Sequence, residues 1–134
     1  MKLIDENLMK LVPKDAMNSA GPKGWGFLVP DQLGLVNIEK ACNVHDSHFF
    51  LISQIYPTKD ITTTNLEIIR KFYPEFWNAL RTKKTAIAYA NKVFYKNLKI
   101  INKEKSPTRF GYMMRKPIIW AYYKAVTKFG RYFV

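Results

Sequence analysis

Both histidines of the chain and its one cysteine fall in a single short run, Ala41-Cys42-Asn43-Val44-His45-Asp46-Ser47-His48-Phe49. An imidazole beside a carboxylate offers a general base, a metal ligand, or both. Upstream lies a glycine-rich stretch, Gly21-Pro22-Lys23-Gly24-Trp25-Gly26. Several chemistries fail on the residues themselves. Cys42 and His45 stand three apart on one expected helix, where thiol and imidazole rarely align for proton transfer, so Cys42 reads as a small apolar filler. His45 and His48 at i, i+3 suit zinc only with a third ligand, and no further Cys or His remains. The phosphohydrolases built on an adjacent His-Asp likewise need more histidines. A phosphate loop needs Gly-Lys-Ser/Thr, whereas Lys23 is followed by Gly24.

One arrangement survives. A hard cation such as calcium takes carboxylate and main-chain carbonyl oxygens. Asp46 supplies the first, and closely spaced glycines can turn carbonyls inward because they tolerate the backbone angles required. His45, on another face of the same helix, is then placed to draw a proton from water. The competing reading is a histidine on an apolar stripe, buried for packing with one nitrogen satisfied.

The elements that must position these groups are mostly helical. Leu3, Ile4, Leu8, Leu11 and Val12 suit a short amphipathic helix closed by Pro13. Residues 18–36 read as an ordered loop held by Trp25 and Phe27, with little β structure anywhere. The first long helix is expected from an Asn37 N-cap to about Gln54, with Ile38, Ala41/Cys42, His45, Phe49 and Ile52 on one face. Thr62-Thr63-Thr64 offers N-caps for a short helix through Leu66, Ile69 and Phe72, and Pro74 at N1 starts another. A second long helix spans Thr82 to about Asn102, with Ile87, Ala90, Phe94, Leu98 and Ile101 facing in and lysines facing out. Residues 103–107 read as an exposed turn. Pro117 opens the last helix, with Trp120, Tyr123, Val126 and Phe129 inward. The fold expected is mainly α: two long antiparallel helices, shorter flanking ones, and the glycine loop across one end, as one domain over residues 1–134.

Composition narrows the partners. The chain has 134 residues, 48% of them hydrophobic, enough for a real core. One cysteine forms no internal disulfide. Charge appears at once in Met1-Lys2-Leu3-Ile4-Asp5-Glu6, which argues against a signal peptide. No run approaches the roughly 18 apolar residues of a membrane span. A cytoplasmic or virion-associated protein is the expectation. The net charge of +12 is lopsided: residues 1–76 hold eight basic and nine acidic side chains, residues 77–134 fourteen basic ones against Glu104 alone. Such a half attracts polyanions, whether nucleic acid, anionic phospholipid or an acidic protein, or it is a solvated helical surface.

Cys42-Asn43-Val44-His45-Asp46 followed by Phe49 resembles the active-site helix of the phospholipase A2 superfamily, whose pattern is Cys-Cys-x-x-His-Asp-x-Cys-Tyr. The order Gly-Pro-x-Gly-Trp, Val-Pro-Asp, Gly-Leu, Ala-Cys-Asn-x-His-Asp and Tyr-Tyr-x-Ala-Val-x-x-Phe-Gly is similar to small phospholipase-A2-like proteins of bacteriophages and bacteria, touching residues 21–50, 86–98 and 117–130. The resemblance implies His45 as general base, Asp46 as calcium carboxylate, and carbonyls within 20–26, at Gly21, Gly24 and Gly26, completing the cation site. It also implies departures. The family's disulfide cysteines are absent at Ala41 and His48. The aspartate that holds the catalytic histidine corresponds to Asn91, and the tyrosine that supports that aspartate corresponds to Phe49. An amide can hold the imidazole tautomer but carries no charge to stabilise the imidazolium; a substitute acid would have to come from Asp31, Glu67 or Glu75. Two functions follow: a calcium-dependent ester hydrolase acting on phospholipid, with Trp25, Phe27, Trp77 and Trp120 seating an anionic surface, or a degraded scaffold that binds polyanions, nucleic acid foremost.

Overall fold

A computed structural model of the protein describes residues 2–14, 28–31, 34–56, 61–105 and 109–130. The chain is mainly helical. Among the described residues a 3-10 helix, Glu6–Leu11, is followed by two antiparallel strands, β1 (Leu28–Asp31) and β2 (Gly34–Asn37), then by five α-helices: α1 (Glu39–Ile55), α2 (Thr63–Phe72), α3 (Pro74–Ala79), α4 (Lys83–Lys105) and α5 (Arg109–Gly130).

Helix α1 packs on α4, and α5 packs on α4 and against β1. Buried side chains gather in two clusters. Ile38, Ala41 and Cys42 of α1 and its lead-in meet Phe94, Leu98 and Ile101 of α4, with Leu3 and Ile119 closing the sides. Phe49, Leu51 and Ile52 lie with Ala86 and Ala90, and with Leu8, Ile69 and Phe76 from the short elements. The inward positions of α4 thus follow the 3.6-residue period, while Lys84, Lys92, Lys96, Lys99 and Lys103 stay exposed.

The N-terminal segment is strapped to this frame by polar bonds as well as apolar contacts. Asn97, fully buried on α4, accepts from the Ile4 amide at 2.8 Å and donates to the Ile4 carbonyl at 3.1 Å. Both backbone groups of one residue are satisfied by one amide side chain. Lys40 also pairs with Glu6.

Several elements depart from the sequence expectations. The N-terminal turn is a short 3-10 helix, entered through Asp5 in the left-handed region at φ 59°. Leu28–Asp31 and Gly34–Asn37 pair as antiparallel strands with Val29 opposite Val36 and Pro30 opposite Leu35, where a loop is expected from Pro30 and Gly34. In a two-stranded sheet both strands are edges, the setting in which proline is tolerated. Asn37 accordingly ends β2, paired with Leu28, and Ile38 precedes α1 without a side-chain cap. Helix α4 continues through Lys103 and Glu104 to Lys105, where a turn is expected.

Pro117 lies inside α5 rather than at its start. Proline removes the bond to the carbonyl four residues back, that of Met113. Met113 and Pro117 are both exposed, so the freed carbonyl lies on the water side of the helix. The buried face of α5 is set by Gly111, Arg115 and Ile119, with Tyr123 packed partly against the core, while Trp120, expected inward, is 52% exposed; the side chains of Val126 and Phe129 lie outside those described. The short helices agree with expectation: Thr62 caps α2 by accepting from the Asn65 amide, and Pro74 opens α3.

Candidate functional site

His45 lies midway along α1, between the two apolar clusters. Its Nε2 is 2.8 Å from Asn91 Oδ1, a bond joining residues 46 apart across the α1–α4 contact. An amide oxygen only accepts, so Nε2 carries the proton and Nδ1 is the lone-pair nitrogen. The ring is held between Phe49, with centroids 4.3 Å apart, and Phe94, at 4.5 Å and nearly stacked. Only 2% of His45 is exposed. Burial pushes its pKa down to about 4; the Asn91 bond opposes that shift and the nearby His48 adds to it. Near neutral pH the ring is an uncharged, oriented imidazole.

Asp46 sits a hundred degrees round α1, half-buried with Asn43 and Phe50 on the same flank, and it already engages another group. The glycine positions expected to complete a cation site, Gly21, Gly24 and Gly26, lie outside the described residues, as do Trp25 and Phe27. Among the described residues no three His, Cys, Asp or Glu side chains gather as a site made of side chains alone. The donor chemistry of this chain suits calcium only as one carboxylate completed by main-chain oxygens. Cys42, the single cysteine of the chain, is fully buried in the first apolar cluster. Among the described residues no helix is long and apolar enough to cross a membrane.

The second histidine belongs to a different network. His48 is fully buried on α1, and its Nε2 is 3.0 Å from Asp5 Oδ2. The Tyr89 hydroxyl donates to the same oxygen at 2.7 Å. His48 meets Phe76 and Tyr89 edge-on, with centroids 4.9 and 5.6 Å away. Burial first, then the bond to Asp5, raises the Tyr89 pKa, so its hydroxyl stays a donor throughout the physiological range. An acid therefore does reach a histidine of this chain, but it is Asp5 reaching His48. His45 is held by Asn91; Glu67 and Glu75, weighed as substitutes, are exposed.

Sequence reasoning missed Asp5 and Tyr89. They are 84 positions apart and share no local period. The available signal was His48 on the buried face of α1, which required a polar partner without saying which one. A second signal was an acid interrupting the apolar run Leu3, Ile4, Leu8; Asp is among the few residues that enter the left-handed region readily.

Compared with family models, curated proteins and solved structures, the chain matches none.

Proposed function

We propose that the chain is a phospholipase-A2-like ester hydrolase, acting on phospholipid through water activated by His45. The observation that carries this reading is the 2.8 Å bond from His45 Nε2 to Asn91 Oδ1. It fixes one tautomer and one ring orientation and leaves Nδ1 as the basic atom, as a base with an orienting partner requires. The order of contacts along the long helices supports the antiparallel pairing that the reading needs: Ala41 and Cys42 lie with Phe94, Leu98 and Ile101, and Phe49 and Ile52 with Ala86 and Ala90.

Asp46 and the carbonyls of Gly21, Gly24 and Gly26 would hold calcium, which when bound supplies polarisation of the ester carbonyl. The residues of the chain do the rest. Nδ1 accepts the proton of water, Asn91 holds the ring, and Phe49 and Phe94 pack against the ring and help exclude bulk water from it. With its pKa near 4, His45 is always in the basic form at neutral pH but is a weak base. Asn91 brings no charge to stabilise the imidazolium, so turnover is expected to be slow. The test is fatty-acid release from anionic vesicles with calcium: release that requires calcium and disappears in His45→Gln supports the reading, and release indifferent to either removes it.

A second reading has its own observation. The burial against Phe49 and Phe94 that makes His45 a weak base, with its Nε2 satisfied by Asn91, also suits a packed, non-catalytic imidazole. The chain is then a scaffold binding polyanions through its basic half, and affinity for a DNA duplex should fall steeply with salt.

A further inference from the structure

Helix α5 carries two faces of opposite use. Gly111, Arg115 and Ile119 are buried, and Tyr123 packs partly against the first cluster. Met113, Pro117, Trp120 and Lys124 follow i, i+4, i+7 and i+11 on the opposite side, all exposed. The solvent side of the helix presents large apolar side chains over an arc of about 160° from Trp120 round to Ile118: Phe110 is 57% exposed, Met113 51%, Met114 43%, Ile118 38% and Trp120 52%. Arg109, Lys116, Lys124 and Lys128 are exposed among them, and the helix contains no acid at all.

We propose that the outer face of α5 is a docking surface for an anionic lipid bilayer, on which the helix lies flat. The charge sets the sign of the partner: four exposed cations with no acid on the element attract a negative surface. The apolar side chains choose among negative partners. A nucleic-acid backbone gives the methionines and Ile118 nothing to enter, whereas the boundary between headgroups and acyl chains takes them while the cations stay at headgroup level. A second copy of the chain would bring like charges together. Two of the four cations already lie over rings on the helix, with Lys124 Nζ 5.6 Å from the Trp120 centroid and Lys116 Nζ 4.8 Å from that of Tyr112. This places charge beside an inserting aromatic, as at a membrane interface. Lying on the bilayer is also the mode left to a helix that is not apolar enough to cross it.

The inference names a lipid surface, as the hydrolase reading does, but does not rest on hydrolysis. It is tested by co-sedimentation of the full chain with vesicles of ether-linked phosphatidylglycerol, which cannot be hydrolysed, in EDTA. Binding is expected to these vesicles and not to phosphatidylcholine vesicles. Replacing both Lys124 and Lys128 with Gln should weaken partitioning by roughly fivefold for each charge removed. The triple change Met113→Ser, Met114→Ser and Ile118→Ser should abolish it with an unchanged circular dichroism spectrum, since all three side chains are exposed. His45→Gln should bind like the unaltered chain, so failure of the hydrolase reading leaves this inference standing. Equal binding by the triple variant overturns the proposal. So does absence of vesicle binding with tight binding to a DNA duplex, or self-association that the triple change abolishes.

Discussion

Replacing Asn91 by aspartate changes one neutral oxygen into a charged one, 2.8 Å from the nitrogen that holds His45 in place. Two unit charges about 4 Å apart at an effective dielectric near 20 attract by about 4 kcal/mol. At about 1.4 kcal/mol per pKa unit that is an upper bound of about 3 units. Asn91 is half-buried, so desolvation of the new carboxylate takes back a part, and opposite charges at this range commonly move a pKa by about 1–3 units. The His45 pKa, about 4 in the native sequence, should therefore rise by about 1–3 units in Asn91→Asp. The assay is an NMR titration of ring-labelled histidine from acid to neutral pH, with His45→Gln assigning the signal against His48. Because a general base works better as its pKa approaches the working pH, fatty-acid release at neutral pH should rise as well, by roughly 10–10²-fold out of the 10²–10⁴ a positioned base supplies. A His45 pKa that stays at its native value in the aspartate variant would refute the pairing on which this reasoning stands.

Three further outcomes follow from the same geometry. Because native His45 resists protonation down to about pH 4 while the unfolded ring titrates near 6.5, the unfolded state binds more protons in that window. Stability should fall on acidification from pH 6.5 to 4 by about 3 kcal/mol; urea midpoints should show this slope reduced in His45→Gln, and equal slopes would contradict it. Asp5→Ala strands both the His48 nitrogen and the Tyr89 hydroxyl and should cost about 1–3 kcal/mol per stranded group, with Tyr89→Phe costing less, as read by thermal unfolding. Phe94→Ala opens one face of the His45 ring, so it should both cost about 3–5 kcal/mol and raise the His45 pKa toward its ordinary value.

What the sequence disclosed follows from where the physics is local. The inward face of α4, Ala90, Phe94, Leu98 and Ile101, repeats at helical spacing and is buried as its period requires. Thr62 and Pro74 mark helix starts through side-chain and ring chemistry that acts within one turn. The meeting of His45 with Asn91 was legible only by resemblance, since 46 residues separate them and periodicity places each on its own helix without pairing them. Pro117 misled because its effect depends on which side of the helix it occupies, a tertiary property. The pairing of β1 with β2 was hidden by Pro30 and Gly34, which signal a turn wherever they stand. Asp5 was beyond reach for a different reason: its partners lie on two helices that come together only once the core has formed.

The most direct measurement is the initial rate of fatty-acid release from phosphatidylglycerol vesicles in calcium, with the native chain, His45→Gln and Asn91→Asp side by side. The account predicts slow release by the native chain, none above blank for His45→Gln, and a faster rate for Asn91→Asp. Three traces indistinguishable from blank, or a His45→Gln rate equal to the native one, would contradict it.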